Sequence, residues 1–358
     1  MSDLVIQSYR GPYTARFGEP FEGLEHGLSN GEHLLIDARV ADLYCDRLSA
    51  ALAGRSVLRL EATEANKSLE VFPKYYSHLI ERGVRRDHLL VAVGGGIVQD
   101  ITAFIAATLL RGLRWHFFPT TLLAQADSCI GSKSSVNVGG TKNQIGTYTP
   151  PDEIRISTEV LQTLTDADRR SGIGEMIKVH VLAGWDAVRA IAADYHQLGN
   201  DSQLLGRYIR QSLKIKQAKI EADEFDRGER VVMNYGHSFG HAIESCTRYA
   251  VPHGIAVTIG MDMANFVSWR LGLADRQVYD ELHPLLAANF AGFEHLDISV
   301  DHLVAAIGKD KKNVDRDFVL ILLREPGALF QHRLTDGARL HEICAEYLAC
   351  LRGHAASS

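Results

Sequence analysis

The stretch HLLVAVGGGIVQD, residues 88–100, decides how the first half of the chain reads. Six strand-like residues run straight into Gly94, Gly95 and Gly96, and from Asp100 to Leu110 the apolar side chains recur at helical spacing. Outward from it the same alternation continues. Upstream lie His33–Asp37 (HLLID), which ends in an acid, and Ser56–Glu61; downstream Trp115–Phe118 leads into Pro119, Thr120 and Thr121. Short apolar runs alternating with amphipathic stretches are the pattern of a sheet flanked by helices. Past about residue 160 the glycines and β-branched runs thin out. Long amphipathic segments take over at Asp166–Leu182, Leu204–Glu221, His237–Ala250 and Ile255–Leu271. The expectation is an α/β domain over residues 1–160 followed by a mainly α-helical domain over residues 161–358.

Bulk properties narrow the function. A chain of 358 residues is long for one compact core, which favours two domains. A net charge of -6 argues against a nucleic-acid binder, because phosphate backbones demand a clustered basic surface. The five cysteines form no CxxC pair, and an odd number leaves one thiol over in any monomeric disulfide scheme. The N-terminal residues lack the apolar run of a signal peptide, and runs such as Ile101–Leu110 are too short to span a bilayer. The expected setting is the cytoplasm, with no membrane partner.

Three groups of residues carry chemistry. Gly94, Gly95 and Gly96, between a strand and a helix, let a pyrophosphate approach backbone N–H groups, but do not spell GxGxxG; an ordinary tight turn fits the local pattern as well. Asp37, at a strand end, suits a ribose hydroxyl and equally suits a helix N-cap. More specific is NYGHSFGHAIESCTRYAVPHG, residues 234–254. His237 and His241 share a helix face, and His253 follows twelve residues later beside a turn. With a distant carboxylate such as Glu175 of GEMIK, two imidazoles make the three-ligand, open site that a catalytic zinc needs. The third group is polar and cationic: Asp127, Lys133, Asn137, Lys142, Asn143, Lys178, Lys216, Arg230 and the run Lys309–Lys312. Lysines on helices are ordinarily solvated surface. The loops DSCIGSKSSVN and KNQIGTY, however, have the small polar composition of a phosphate-binding site.

Residues 119–137 (PTTLLAQADSCIGSKSSVN), 141–148 (TKNQIGTY), 172–178 (GIGEMIK), 227–245 (RGERVVMNYGHSFGHAIES) and 252–261 (PHGIAVTIGM) resemble, in order and spacing, the 3-dehydroquinate synthases among the sugar-phosphate cyclases. The resemblance covers roughly residues 30–325, and it implies a Rossmann-like NAD-binding domain followed by a helical metal-binding domain. It implies that Glu175, His237 and His253 bind Zn2+ or Co2+. It places Asp37, Glu64, Lys67, the glycines at 94–96, Asp100, Thr120, Thr121, Lys142, Asp127 and Lys133 at the NAD site. Lys133, Asn143, Asn234, His241 and Lys311 resemble substrate and phosphate contacts, Asp127 and Lys178 hydroxyl contacts, and Lys216 and Arg230 carboxylate contacts. Arg111 resembles an arginine that reaches the phosphate of a neighbouring subunit, which implies a homodimer.

The implied chemistry is oxidation of a substrate hydroxyl by NAD beside a metal, β-elimination of phosphate, return of the hydride, ring opening and an intramolecular aldol closure. His241 is the candidate proton carrier. An arginine paired with a lysine is what a carboxylate demands, which favours 3-deoxy-arabino-heptulosonate 7-phosphate over neutral sugar phosphates. Departures from the family pattern leave a sibling cyclase for sedoheptulose 7-phosphate or another sugar phosphate as the alternative. Asp226 stands for glutamate, Gln99 for glycine, Cys129 for serine, Ser132 for glycine and Ile255 for glutamate. A metal-dependent alcohol dehydrogenase shares the two-domain plan, but a simple alcohol has no need of the lysine-rich loop.

Overall fold

The computed structural model describes residues 2–139, 141–295, 297–309 and 317–355, with 353–355 described by backbone only. The chain forms two compact units, residues 1–164 with 216–225, and residues 165–215 with 226–358. A single cut at residue 160 does not contain this grouping, because a ten-residue segment of the second half folds with the first unit. Glu221 accepts from the Gln7 amide at 2.9 Å, Glu224 from the Ser8 hydroxyl at 2.6 Å, and the Phe225 carbonyl from the Tyr148 hydroxyl at 2.8 Å.

The strands of the first unit are β1 (Leu4–Ile6), β2 (Tyr13–Phe17), β3 (Glu32–Asp37), β4 (Val57–Leu60), β5 (Leu89–Gly94), β6 (Arg114–Pro119), β7 (Val136–Val138), β8 (Thr141–Ile145) and β9 (Glu153–Ile156). Among the described residues, seven of them build one sheet in the order β1-β2-β9-β6-β5-β3-β4, parallel except for the β1/β2 pair. Helices α1 (Ala38–Leu43), α2 (Ser49–Leu52), α3 (Phe72–Glu81) and α4 (Gly96–Thr108) connect the strands. Leu90–Gly94 and His33–Ile36 are buried without alternation. That is the signature of parallel strands covered on both faces, and it explains why these segments read as continuous apolar runs. The chain moves outward from β3 to β4, then returns across β3 to β5 and continues the other way through β6. The reversal leaves a crevice at the carboxyl ends of β3 and β5, where Asp37 and the glycine turn lie.

In the second unit, α5 (Asp166–Ala183), α6 (Trp185–Asp194), α8 (His237–Cys246), α9 (His253–Arg270), α10 (Arg276–Phe290), α11 (Val300–Gly308) and α12 (Gly337–Ala355) are joined by α7 (Ser202–Ala222), whose last turns belong to the first unit. Helix α9 is buried on every side from Gly254 to Ser268, which makes it the central element. A hairpin of β10 (Phe318–Leu323) and β11 (Leu329–Leu334) interrupts the helices. The mainly helical expectation did not include it. Its first strand, FVLILL, is a short apolar run whose period distinguishes neither strand from helix.

Candidate metal and dinucleotide sites

In the second unit, Glu175 on α5, His237 at the start of α8 and His253 at the start of α9 converge. Glu175 Oε1 lies 3.6 Å from His237 Nε2 and 3.4 Å from His253 Nε2. Two ligands of a tetrahedral zinc with ordinary bond lengths sit about 3.4 Å apart, so the donor set and its spacing fit a divalent cation of that kind. His241, exposed one turn along α8, offers a nitrogen within 4.8 Å of those of His237 and His253. The four side chains therefore form one group, with Glu175 almost completely buried and His241 on the solvent side.

Glycines beside these residues let the helices touch. A methyl group on Gly174 would stand 2.3 Å from the Gly254 carbonyl, and one on Gly254 would stand 1.8 Å from that of Ser171, so α5 and α9 meet backbone to backbone. Helix α8 meets α9 in the same way through Gly240, next to His241, and Gly236, next to His237. Each metal-side residue is thus the chain neighbour of a contact glycine, and the sequence pairs GE, GH, GH and HG encode both the crossing and the chemistry.

Two further carboxylate contacts tune this group. Lys178 Nζ lies 2.5 Å from Glu175 Oε2, one helical turn along α5 and nearly buried. Glu244 Oε2 lies 3.0 Å from His253 Nδ1. Burial pushes the His253 pKa down, but hydrogen bonds and charge from Glu175 and Glu244 outweigh it and raise the value to about 10 in the metal-free protein. Glu244 escaped the sequence reading as a functional residue. The signal was present in the HAxE spacing, but nothing in the chain order shows that this acid turns toward His253.

In the first unit Asp37 and the glycine turn lie at the sheet's reversal, and Glu64, Lys67, Asp100 and Lys142 pair with one another. Gly95 precedes α4, and a methyl group there would stand 2.8 Å from the Thr121 methyl, while Thr120 donates to the Gly94 carbonyl at 2.9 Å. The Asp37 carboxylate accepts from the Arg39 amide at 2.9 Å, so it caps α1. Lys67, buried, lies 3.0 Å from Asp100 and 3.5 Å from Glu64, and Lys142 lies 3.8 Å from Glu64. Burial lowers the Lys67 pKa, but Asp100 and Glu64 more than offset it and raise it above the ordinary value. Asn143 has φ 55° and accepts from Lys67 at 3.2 Å, which groups it with Lys67, Asp100 and Glu64.

Lys216 Nζ lies 2.6 Å from Asp127 Oδ1 and donates to the Asp127 carbonyl at 2.5 Å, within the first unit. Arg230, buried, and Asn234, whose amide donates to the Val231 carbonyl at 3.0 Å, belong to the second. Asp226 also belongs there and has φ 56°, a conformation aspartate tolerates better than most side chains. Lys133 is exposed and pairs through its backbone with Tyr148. Arg111 is exposed at a tight turn in which Leu110, Arg111 and Gly112 all have positive φ. Lys311 and Lys312 lie outside the described residues. Among the described residues no helix is long and apolar enough to cross a membrane.

Comparison with known proteins matches two successive family profiles to the chain. A sequence profile of the 3-dehydroquinate synthase N-terminal domain matches residues 57–171, and one of the C-terminal domain matches residues 172–313. A 3-dehydroquinate synthase of Cereibacter sphaeroides is 36% identical over 308 residues, 83% of each chain. Among solved structures, a 2-deoxy-scyllo-inosose synthase complexed with carbaglucose-6-phosphate, NAD+ and Co2+ superposes with a TM-score of 0.82 at 20% identity, covering 96% of this chain and 100% of the other. The 2-epi-5-epi-valiolone synthase ValA of Streptomyces hygroscopicus, with NAD+ and Zn2+ bound, gives 0.81 at 24% identity over 96% and 97% of the two chains. The two family profiles and the level of identity to the curated relatives establish that the chain belongs to the 3-dehydroquinate synthase family.

Proposed function

We propose that the protein is a phosphate-eliminating lyase that converts 3-deoxy-arabino-heptulosonate 7-phosphate to 3-dehydroquinate and inorganic phosphate, with NAD and Zn2+ or Co2+ as cofactors. The observation that carries the reading is Glu175 Oε1 lying 3.6 Å from His237 Nε2 and 3.4 Å from His253 Nε2, in a chain whose family profiles reach both units. When bound, the metal and NAD supply Lewis acidity and a reversible hydride acceptor. Glu175, His237 and His253 would hold the cation. Asp37, Glu64, Lys67, Asp100, Thr120, Thr121, Lys142 and the turn Gly94–Gly96 would hold the dinucleotide at the β3/β5 crevice.

The remaining residues bind, orient and move protons. Lys216 and Arg230 would grip the substrate carboxylate, Asp127 and Lys178 its hydroxyls, and Lys133, Asn143, Asn234 and Lys311 the ring oxygens and phosphate. Asp226 would help set the hydroxyl selectivity. His241, on the solvent side of the histidine group, would carry a proton between the substrate hydroxyl and water. Arg111 would complete the phosphate site of a second copy in a homodimer. Much of the acceleration then comes from holding one flexible substrate in successive reactive geometries.

The test is incubation of zinc-loaded protein and NAD with the heptulosonate phosphate, alongside sedoheptulose 7-phosphate and glucose 6-phosphate. Release of phosphate and dehydroquinate from the first, without net accumulation of reduced nicotinamide, is the expected result. Turnover of only the neutral sugar phosphates would overturn the substrate, and net reduced cofactor would mark a dehydrogenase instead.

A further inference from the structure

We infer that Gln99 is a positioning residue that braces the Asp127–Lys216 pair against the turn Gly94–Gly96. Gln99 sits in the first turns of α4, immediately behind Gly94–Gly96, and its side chain is buried. Its amide nitrogen donates to the Ser128 carbonyl at 2.7 Å, and the Ser128 hydroxyl donates to its amide oxygen at 2.7 Å. Both bonds end on one residue, which a glycine at position 99 could not hold. A methyl group placed on Gly96 would lie 3.9 Å from the Ser128 hydroxyl, so the braced residue also borders the glycine turn.

Ser128 ends the widened turn Ala124–Ser128, in which the Cys129 amide donates to the Ala124 carbonyl at 2.9 Å. Such one-residue expansions re-aim the side chains they carry and recur at functional sites. Gln125 anchors the other side of this turn, donating to the carbonyls of Pro119 at 2.9 Å and Ser157 at 2.8 Å. Between these two anchors stands Asp127, which engages Lys216 through both its carboxylate and its carbonyl. A continuous path of short bonds therefore runs from the helix behind the glycine turn, through Gln99 and Ser128, to the Lys216 ammonium. Cutting it leaves the helix and the turn intact but lets the cation drift, and displacement of a positioning group by a fraction of an ångström is costly in a site that works by orientation. The inference rests on the reading that Lys216 meets the substrate carboxylate.

Gln99→Met preserves length and burial while removing both bonds. The expected result is a KM for the heptulosonate phosphate raised about tenfold, with the NAD dissociation constant and zinc content within about twofold of the parent. Ser128→Ala should produce a smaller rise, and the double variant should be no worse than Gln99→Met alone. In a Lys216→Met background Gln99→Met should add nothing. Additive effects, or equal losses of NAD affinity, would reduce Gln99 to core packing. Should Gln99→Met fail to fold, Gln99→Gly makes the same cut and is read in the same way. If the parent turns over none of the phosphates, the functional reading fails separately. The brace is then judged by the Nζ resonance of Lys216 in isotope-labelled protein, which should move in Gln99→Met and stay in place in Thr102→Val, a buried control on the same helix. An unmoved resonance would overturn the brace.

Discussion

His253 receives two carboxylates, Glu175 toward Nε2 and Glu244 toward Nδ1, and the pairing assigns the two ring nitrogens different tasks. An acid on Nδ1 fixes the tautomer that leaves Nε2 available as a ligand and makes that nitrogen more basic. Glu244→Gln should therefore weaken zinc binding by about ten- to a hundredfold, read by competition with a chelator, while Glu175→Gln should abolish stoichiometric binding. A second prediction concerns His33, buried on β3 and bonded to Ser56 at 2.7 Å and His88 at 2.9 Å. Burial, with help from the charges of His88 and His78, pulls its pKa from 6.5 to about 4. The folded value lies below the unfolded one, so the stabilisation is fully present above about pH 6.5 and is lost as the pH falls toward about 4, by an amount on the order of 3 kcal/mol. Urea midpoints should drop between neutral and mildly acidic pH, and the drop should shrink in His33→Gln. Cys129 offers a third test. Burial pushes its thiol up to about 12, so it should resist alkylation in the native protein while the exposed Cys45 and Cys350 react.

At the scale of elements, the proposed metal group depends on helices that cross with no side chain between them. Gly254→Ala would set a methyl group against the Ser171 carbonyl, neither of which can swing aside. The helices must part, and Glu175 and His253 with them. We expect a loss of about 3 kcal/mol in unfolding free energy together with weakened zinc binding, measured by denaturant titration and chelator competition. Stability reduced with zinc affinity intact would show that the crossing does not set the ligand geometry. The sheet uses the opposite logic. Its central strands are apolar on both faces, which makes them easy to read from the chain, whereas the β10/β11 hairpin lies among helices and its apolar run fits strand and helix alike.

For the whole molecule, the proposed homodimer makes a complementation prediction. Arg111 and Lys133 are both proposed to meet the phosphate, so Arg111→Ala and Lys133→Ala would each remove one group from that site. If Arg111 serves the neighbouring copy, mixing the two inactive variants and allowing subunits to exchange creates heterodimers with one intact site. About a quarter of the parent activity should return, whereas service within one chain gives no recovery. The grouping of residues 216–225 with the first unit belongs to this scale too. No local signal marks it, because α7 continues without a break through Ile215 and Lys216, and only the hydrogen bonds of Glu221, Glu224 and Phe225 to distant residues reveal it.

The amino-acid sequence by itself determined the α/β plan of the first half, the glycine turn, the candidate metal ligands and, through its ordered motifs, the family. These are local properties: burial on two faces writes a continuous apolar run, and helical periodicity sets His237 and His241 on one face. Only the tertiary structure decided that Glu175 comes within 3.4–3.6 Å of two histidines far along the chain. The same holds for Glu244 turning to His253 and Gln99 gripping Ser128. Each of these depends on where two separate backbones cross, and the crossing is fixed by packing among many residues, a quantity that no short window of sequence contains.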